Sequence, residues 1–382
     1  MKQKTGNPAP DNGDGRPRIG VFSKPLDNWT SGSGHHLDEM MKRVLARNEA
    51  EGSPFDFYFI HYQKSRNPVY AKVREILIPR NPLAASAVLR PYGFRILHYS
   101  PLSVYAPMFR LPAKKMATIH GAEEAVYPQG FSWIARMHEK YAMPVLARRL
   151  DKIATVSDTS RQYFITKYKV KPERIFLTPN GYSGEFRPLP EKQVADGLAA
   201  LGIRPPYILH ISRLSPRKNP ECTLMAFAEF SRRLPGYTLV CAGKGWDSPE
   251  IAARAAALGI GNLLRTPGFV TEAQAAVLYN GAQAFVFPSL AEGFGMPNIE
   301  AMACGCPVVT SPVFAIPEVV GSAAVLLRDA SDWQGCADAL ERLCTDSAFR
   351  AELVARGFTQ CRRYNWDASA AVLFAAYREL LS

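Results

Sequence analysis

AFVFPSLAEGFGMPNIEAMACGCPVVTS, residues 284–311, is the stretch from which both the fold and the chemistry of this chain can be read. The apolar run at 284–288 predicts a buried strand, and 307–310 predicts another. Between them lie a loop carrying Glu292, Gly293, Phe294 and Gly295 and then a short helix. Pro297 suits the first helical position, where its missing N–H costs nothing, and Gly305 suits the exit. That places Met296 at the N-cap, and methionine has no oxygen to accept the unpaired N–H groups of the first turn. A helix start left bare behind a glycine loop suits an external anion such as phosphate. Glu292 in the loop and Glu300, expected in the first helical turn, would repel phosphate but accept hydrogen bonds from hydroxyls on either side of it. A sugar on one side and a ribose on the other fit that arrangement. Either glutamate alone fits a blander role, as a solvated loop acid or a partner for the helix dipole. The bare helix start, two glycines and two acids together point to a binding site.

A chain of 382 residues exceeds what one core usually needs, which predicts two domains. With 47% hydrophobic and 21% charged residues it reads as globular, not disordered. No apolar run approaches the ~18 residues of a membrane span. The opening MKQKTGNPAPDNGDGRPR lacks the apolar centre of a secretory signal and is expected as a disordered lead-in. The seven cysteines are odd in number and sit mostly in apolar or helical patterns, where free cysteine behaves as a small hydrophobe. Cys304 and Cys306 are too close for a zinc ribbon or a redox pair, so a reducing cytoplasm without disulfide or structural metal is expected.

Charge is unevenly placed. Residues 1–190 hold 29 Lys/Arg against 16 Asp/Glu, whereas 191–382 hold 17 against 18, so the whole formal excess of +12 resides in the first half. One-sided basicity suits a nucleic acid, an anionic membrane surface or a phosphorylated substrate, besides simple solubility. The first half shows no helix-turn-helix, zinc or aromatic-stacking pattern, which argues against nucleic acid.

Along the chain, residues 18–23 read as the first strand of a parallel sheet, followed by a loop ending Ser31-Gly32-Ser33-Gly34-His35-His36 and a helix to about Asn48. Strand, glycine turn and helix is a phosphate-binding order, although the spacing is not that of a dinucleotide fingerprint. Residues 56–63, 94–100, 116–120, 152–156 and 175–178 read as further strands, with basic and proline-rich connections and helices at about 131–149 and 158–168. Residues 101–113 mix aromatics with Arg110 ahead of Lys114 and Lys115, a composition that fits a membrane-facing or acceptor-lining loop. His120 falls at the carboxyl end of its strand, where open parallel sheets bind ligands. Four prolines around a short helical segment at 182–206 read as a linker. Strands at 207–212, 237–242 and 263–269 then alternate with helices, and Arg213 and Lys218 stand between a strand end and the next helix start, where both can reach one phosphate. Alternation at this spacing means α/β with parallel sheets. Helical patterns at 331–345, 347–363 and 367–381 finish the chain.

The stretch from Glu292 to Glu300, with Ala301, Gly305 and Pro307 behind it, resembles the E-x7-E signature of the retaining glycosyltransferases of family 4, the glycosyl transferases group 1. Thr118-Ile-His120, Thr155-Val-Ser157, Pro179-Asn180-Gly181, Arg213 with Arg217-Lys218-Asn219, Gly243-Lys-Gly245 and Gly268-Phe-Val270 extend the resemblance over about 18–382. The region of His120 is most similar to the mannosyltransferase-like branch that builds bacterial surface polysaccharides. The resemblance implies a GT-B fold, two Rossmann-like domains facing across a cleft with the last helix crossing back. On that division 1–17 is the lead-in, 18–188 with about 367–382 the acceptor domain, 189–206 the linker and 207–366 the nucleotide-sugar domain.

The resemblance also implies roles. Arg213 and Lys218 would bind the donor diphosphate, Glu300 the ribose hydroxyls, and the backbone near Val270 the base. Glu292 with the loop of Gly293, Phe294 and Gly295 would hold the transferred sugar, Met296 would lend its N–H to phosphate, Gly34 would approach the diphosphate, and His120 would contact the sugar near the reacting carbon. The first loop departs from the family's plainer paired-glycine turn, which leaves Gly32 without an assigned role. No Asp-x-Asp occurs, so no metal cofactor is expected and the cations would neutralise the leaving group. The partners implied are a nucleotide-diphosphate sugar and a glycan or lipid-linked acceptor. Contact with an anionic membrane through the first domain, at the inner face of the cytoplasmic membrane, is also expected. An NDP-sugar hydrolase, epimerase or phosphorylase fits the same fold, and so, more distantly, does a basic scaffold.

Overall fold

A computed structural model of the chain describes residues 15–28, 31–65, 67–100 and 111–382. Most of the expected lead-in and of the aromatic loop at 101–113 lies outside the described residues. The chain forms two compact units, one drawn from Met1–Ala122, Trp133–Asn180 and Trp366–Ser382, the other from Glu123–Ser132 and Gly181–Asn365.

The first unit is built on seven strands: β1 Arg18–Phe22, β2 Asp56–His61, β3 Arg74–Leu77, β4 Ile96–Tyr99, β5 Lys114–Thr118, β6 Lys152–Thr155 and β7 Ile175–Leu177. They pair in parallel in the order β3-β2-β1-β4-β5-β6-β7, so the order reverses between β1 and β4. Such a reversal opens a crevice beyond the carboxyl ends of the two strands. Their apolar residues, among them Ile19, Val21, Phe59, Ile60, Ile96 and Leu97, are buried on both faces, as parallel strands covered by helices require. The final helix, Trp366–Leu381, belongs to this unit although 185 residues of the other unit precede it. Phe374 packs edge-on against Phe55, Tyr377 Oη lies 2.6 Å from His98 Nδ1, and Ser369 Oγ donates to Pro179 O.

The second unit has six strands: β8 Tyr207–Ile211, β9 Thr238–Ala242, β10 Leu264–Gly268, β11 Ala284–Phe287, β12 Val308–Thr310 and β13 Ala324–Leu326. They are parallel in the order β10-β9-β8-β11-β12-β13, with the reversal between β8 and β11. Ile208, Leu239 and Val286 form its core with Leu224, Phe227 and Phe230 of helix Pro220–Arg233 and Leu340 of helix Trp333–Thr345. The residues at 189–206, expected as a linker, contain helix Glu191–Ala200, whose Gly197 lies so close to Val277 that an added Cβ would come within 2.8 Å of it.

Among the strands and α-helices of the described residues five were not expected: β3, β13, and helices Pro82–Leu89, Glu123–Val126 and Ile316–Val320. β3 reads Arg-Glu-Ile-Leu, with only Ile76 buried, because it is an edge strand and lacks an apolar run. The single helix expected at 131–149 is instead Trp133–Met137, a π-helical turn His138–Ala142, and Met143–Ala147. The first helix starts at Gly32, so the glycines read as loop are its opening turn.

Candidate active site

In the second unit two loops leave adjacent strands, β8 and β11, and are stitched together. The Leu290 N–H and the Ser289 hydroxyl both donate to Arg217 O. Asn219, at a φ of 54°, caps helix Pro220–Arg233 and donates from Nδ2 to Pro288 O and Ala330 O. This stitching brings Lys218 Nζ to 2.5 Å from Glu292 Oε1, with Arg217 Nη1 at 3.1 Å and Ser289 Oγ at 2.7 Å from the same oxygen. Lys218 also lies over the face of Phe287, 4.6 Å from its centroid. Burial pulls the Lys218 ammonium below the usual lysine range, though Glu292 opposes this. For Glu292 burial pushes upward, but Lys218 and Arg217 outweigh it and hold the carboxyl below its ordinary value. The result is a buried carboxylate shared by two cations, with a net positive charge.

The expected pairing of Arg213 with Lys218 is not what the structure brings together. Arg213 is exposed and its side chain makes no hydrogen bond or ion pair with a described residue, while Arg217 takes the second place at Glu292. Arg217 was visible in the same basic loop, but nothing in the spacing ranked it above Arg213.

The helix after the glycine loop runs Met296–Ala303, and its N-cap is Gly295, not Met296. Gly295 has φ 87° and ψ 52°, a left-handed conformation that costs glycine little, and an added Cβ would stand 2.9 Å from Asn298 Nδ2. No side chain caps this helix. Among the described residues, the N–H groups of Phe294, Gly295 and Met296 have no hydrogen-bond partner. The expected bare start is present, one residue earlier than the proline implied. Phe294 turns its ring inward, edge-on to Tyr364, leaving its backbone to line the loop. The Gly293 N–H, by contrast, is taken by Glu123 Oε1 at 3.2 Å.

Glu300 falls in the second helical turn, not the first, and accepts a hydrogen bond from Tyr279 Oη at 3.2 Å. Burial lifts its carboxyl to about 7; Tyr279 opposes the shift and Glu272 adds to it. Val270 follows β10 and joins none of these charged groups. Its neighbour Gly268 O accepts the Gly243 N–H, and Gly243, at φ 124°, presses so closely on β8 that a Cβ would collide with Ser212 O. Only glycine allows that approach, which aligns the loops after β8, β9 and β10.

Two further groups were missed. Glu123 lies in a four-residue helix, Glu123–Val126, and its carboxyl is raised by burial against the pull of Arg217. Asn298, fully buried in the first turn of the helix, has neither side-chain polar atom hydrogen-bonded. A buried amide with no partner costs stability, so Asn298 is held at a cost beside the bare helix start.

The first unit carries the histidines. His120 stands two residues beyond β5, its Nε2 buried without a partner, and burial lowers its pKa to about 4. Its ring meets that of His36 edge-on at 4.6 Å, and His36 Nδ1 is 2.7 Å from Asn180 Oδ1. Gly34 is buried, and its N–H goes to the Ser31 hydroxyl at 3.1 Å, so that amide is capped within the helix and not free for a diphosphate. Among the described residues no cluster of His, Cys, Asp or Glu is arranged to hold a metal ion.

Two parallel-sheet Rossmann-like units, the second with a glycine loop, bare helix start and shared carboxylate at its strand ends, define a GT-B glycosyltransferase. Solved structures agree on the fold. A sucrose-phosphate synthase from Thermosynechococcus elongatus matches with TM-score 0.77 at 21% identity, covering 96% of this chain and 99% of that one. The Anabaena protein Alr3699/HepE, solved with UDP and glucose, matches with TM-score 0.74 at 16% identity over 95% of this chain and 100% of that one. Residues 199–360 match the family described as glycosyl transferases group 1, and residues 42–186 match Glycosyltransferase Family 4. The chain belongs to this glycosyltransferase family. O-antigen chain mannosyltransferase B of Escherichia coli is 27% identical over 95% of this chain and 100% of its own length. Serotype-specific mannosyltransferase WbdA of Escherichia coli is 28% identical over 74% of this chain but only 36% of that longer protein.

Proposed function

We propose that the chain is a retaining, metal-independent hexosyltransferase that moves mannose from a nucleotide-diphosphate sugar to a glycan or lipid-linked acceptor in surface polysaccharide or glycolipid synthesis. The observation that carries this reading is the grouping of Lys218, Arg217 and Glu292 in the same loop pair as the bare N–H groups of Phe294, Gly295 and Met296. The choice of mannose leans on the names of the Escherichia coli relatives, and the nucleotide on the UDP bound by the Anabaena structure. Seven free cysteines suit a reducing cytoplasm, and the basic first half suits the inner face of the cytoplasmic membrane.

In the proposed reaction the bond between the sugar's C1 and the diphosphate oxygen breaks, and its electron pair stays on the diphosphate. The acceptor hydroxyl oxygen bonds to C1 on the same face, and its proton passes to the departing phosphate. Lys218, Arg217 and the helix amides neutralise the charge that develops there, a role oriented donors fill best where water is excluded. Arg213, exposed and unengaged, is free to close on the same diphosphate. Glu292 accepts from sugar hydroxyls, Glu300 from the ribose, and the backbone at Val270 meets the base. His120 is neutral and serves as a hydrogen-bonding group for the sugar, not as an acid.

The test is incubation of the pure chain with UDP-, GDP- and ADP-hexoses and a polyprenyl-diphosphate glycan, in EDTA. An α-linked glycoside from an α-configured donor supports the reading. Free sugar alone indicates a hydrolase, an isomerised donor an epimerase, and a sugar phosphate a phosphorylase.

A further inference from the structure

Among the described residues of the first unit, the exposed large apolar side chains Leu77, Leu83 and Val372 lie on separate elements, whereas the rest form one group. Trp133 (66% exposed), Ile134 (62%), Met137, Tyr141 (60%) and Val145 are all exposed along the helical stretch 133–147. Residues 133, 137, 141 and 145 repeat every four. In a pure α-helix a four-residue repeat drifts around the axis, because a turn holds fewer than four residues. The π turn His138–Ala142 holds more, so the mean over the stretch is close to four and the side chains stay in line. The opposite face is the anchored one: Met143, Leu146 and Ala147 are buried, and Tyr168 Oη donates to the buried carboxylate of Glu139.

The charges around this stripe are mostly positive. Arg136 and Lys140 are exposed between its members, and Lys140 Nζ lies 5.2 Å from the Tyr141 ring centroid. Beyond the stripe Arg148 and Arg149 are exposed, and Arg148 Nη1 donates to Tyr168 O, which brings Lys167 and Lys169 alongside. Arg174 Nη1 donates to Arg148 O, adding a further cation to the cluster. Residues 133–174 carry ten Lys/Arg against four Asp/Glu; of those four, Glu139 is buried and Asp151 accepts the Lys115 N–H.

We infer that the stretch 133–147 is a membrane-docking face that lays Trp133, Ile134, Met137, Tyr141 and Val145 into the interface of an anionic bilayer. Tryptophan and tyrosine favour the headgroup level, and the surrounding cations meet acidic lipid headgroups. A second copy of the chain is the poorer occupant, because two such faces would bring two sets of cations together. The inference rests on the reading that the acceptor is presented at a membrane. It adds which surface makes the contact.

The test is co-sedimentation of the full chain with phosphatidylcholine vesicles, with and without phosphatidylglycerol. The variants are Trp133→Ser/Ile134→Ser/Tyr141→Ser and Arg136→Gln/Lys140→Gln, all at exposed positions. The wild type is expected to bind only the anionic vesicles, with a blue shift in tryptophan fluorescence that the first variant loses. Removing the two cations is expected to weaken partitioning roughly 30-fold, at about 1 kcal/mol per cation. Nucleotide binding measured without vesicles is expected to be unchanged in both. Variants that bind vesicles as well as the wild type, or a triple-serine variant that turns a dimer into a monomer, overturn the inference. Vesicle binding without any nucleotide binding would sink the donor-site reading and leave the membrane face standing.

Discussion

Lys218 Nζ sits 2.5 Å from Glu292 Oε1, across 74 residues of sequence and between the loops that follow β8 and β11. Neither group is accounted for without the other. A buried ammonium over Phe287 needs a carboxylate, and a buried carboxylate with two cations needs its partners. Glu292→Gln is expected to destabilise the free protein by about 2–3 kcal/mol, below the range for a fully buried pair because both side chains keep some solvent contact. Lys218→Met should cost less, because Arg217 remains at Glu292. Urea melts of both variants and the double variant give the coupling; additive effects would contradict a shared ion pair.

Gly295→Ala meets two obstacles, a φ of 87° and Asn298 Nδ2 at 2.9 Å from the new Cβ. The expected cost is about 1–2 kcal/mol in stability. Nucleotide affinity should fall by more than that loss explains, since the helix start itself is displaced. Calorimetric binding at a temperature where both proteins are folded separates the two effects.

Asn298→Ala should behave in the opposite way. Its amide has no partner in the free protein, so removal is expected to leave stability within about 1 kcal/mol of the wild type. Donor affinity should fall roughly tenfold, the scale of one hydrogen bond to a charged group. A loss of stability with unchanged binding would show that the side chain is structural.

The titration of Glu300 gives a pH dependence with a definite sign. Its carboxyl is raised to about 7, so the folded protein keeps a proton that the unfolded chain releases above its ordinary carboxyl value. The group therefore lowers stability as pH rises from about 4.5 to 7. Nucleotide affinity should rise over the upper part of that window and beyond, because only the ionised form is a pure acceptor for ribose hydroxyls. Glu300→Gln is expected to bind more weakly and with a flat profile between pH 6 and 8. A wild-type profile that is already flat would contradict the ribose role.

The histidines of the first unit act in the other direction. His120 is lowered to about 4 and His98 to about 3 by burial, so both fold neutral. Their stability contribution is full above about pH 6.5 and is lost as pH falls toward these values. A melting temperature that falls steeply below pH 6 is expected, with a shallower slope in His120→Gln. Turnover should show no histidine-like acid limb near pH 6.5.

Much of this was legible in the sequence for a physical reason. Parallel strands buried on both faces are short apolar runs, and β8, β9 and β11 could be placed within a residue or two. The bare helix start was readable because neither Met296 nor Gly295 offers a capping oxygen. β3 escaped because an edge strand with one buried residue carries no such run. Glu123 escaped because it meets Gly293 across 170 residues, and no local pattern reports a contact of that span. Arg217 and not Arg213 meets Glu292 because Arg217 lies in the short turn Pro216–Lys218, whose Arg217 carbonyl is tied to Ser289 and Leu290 of the other loop, a long-range pairing that residue spacing does not carry.

The most direct test is calorimetric titration of UDP and GDP into the wild type and into Lys218→Met, both in EDTA. The account predicts that one of the two nucleotides binds the wild type without a divalent ion. It also predicts at least a tenfold weaker affinity for the variant, with its circular dichroism unchanged. Equal affinity in the two proteins, or no binding of either nucleotide to the wild type, would contradict it.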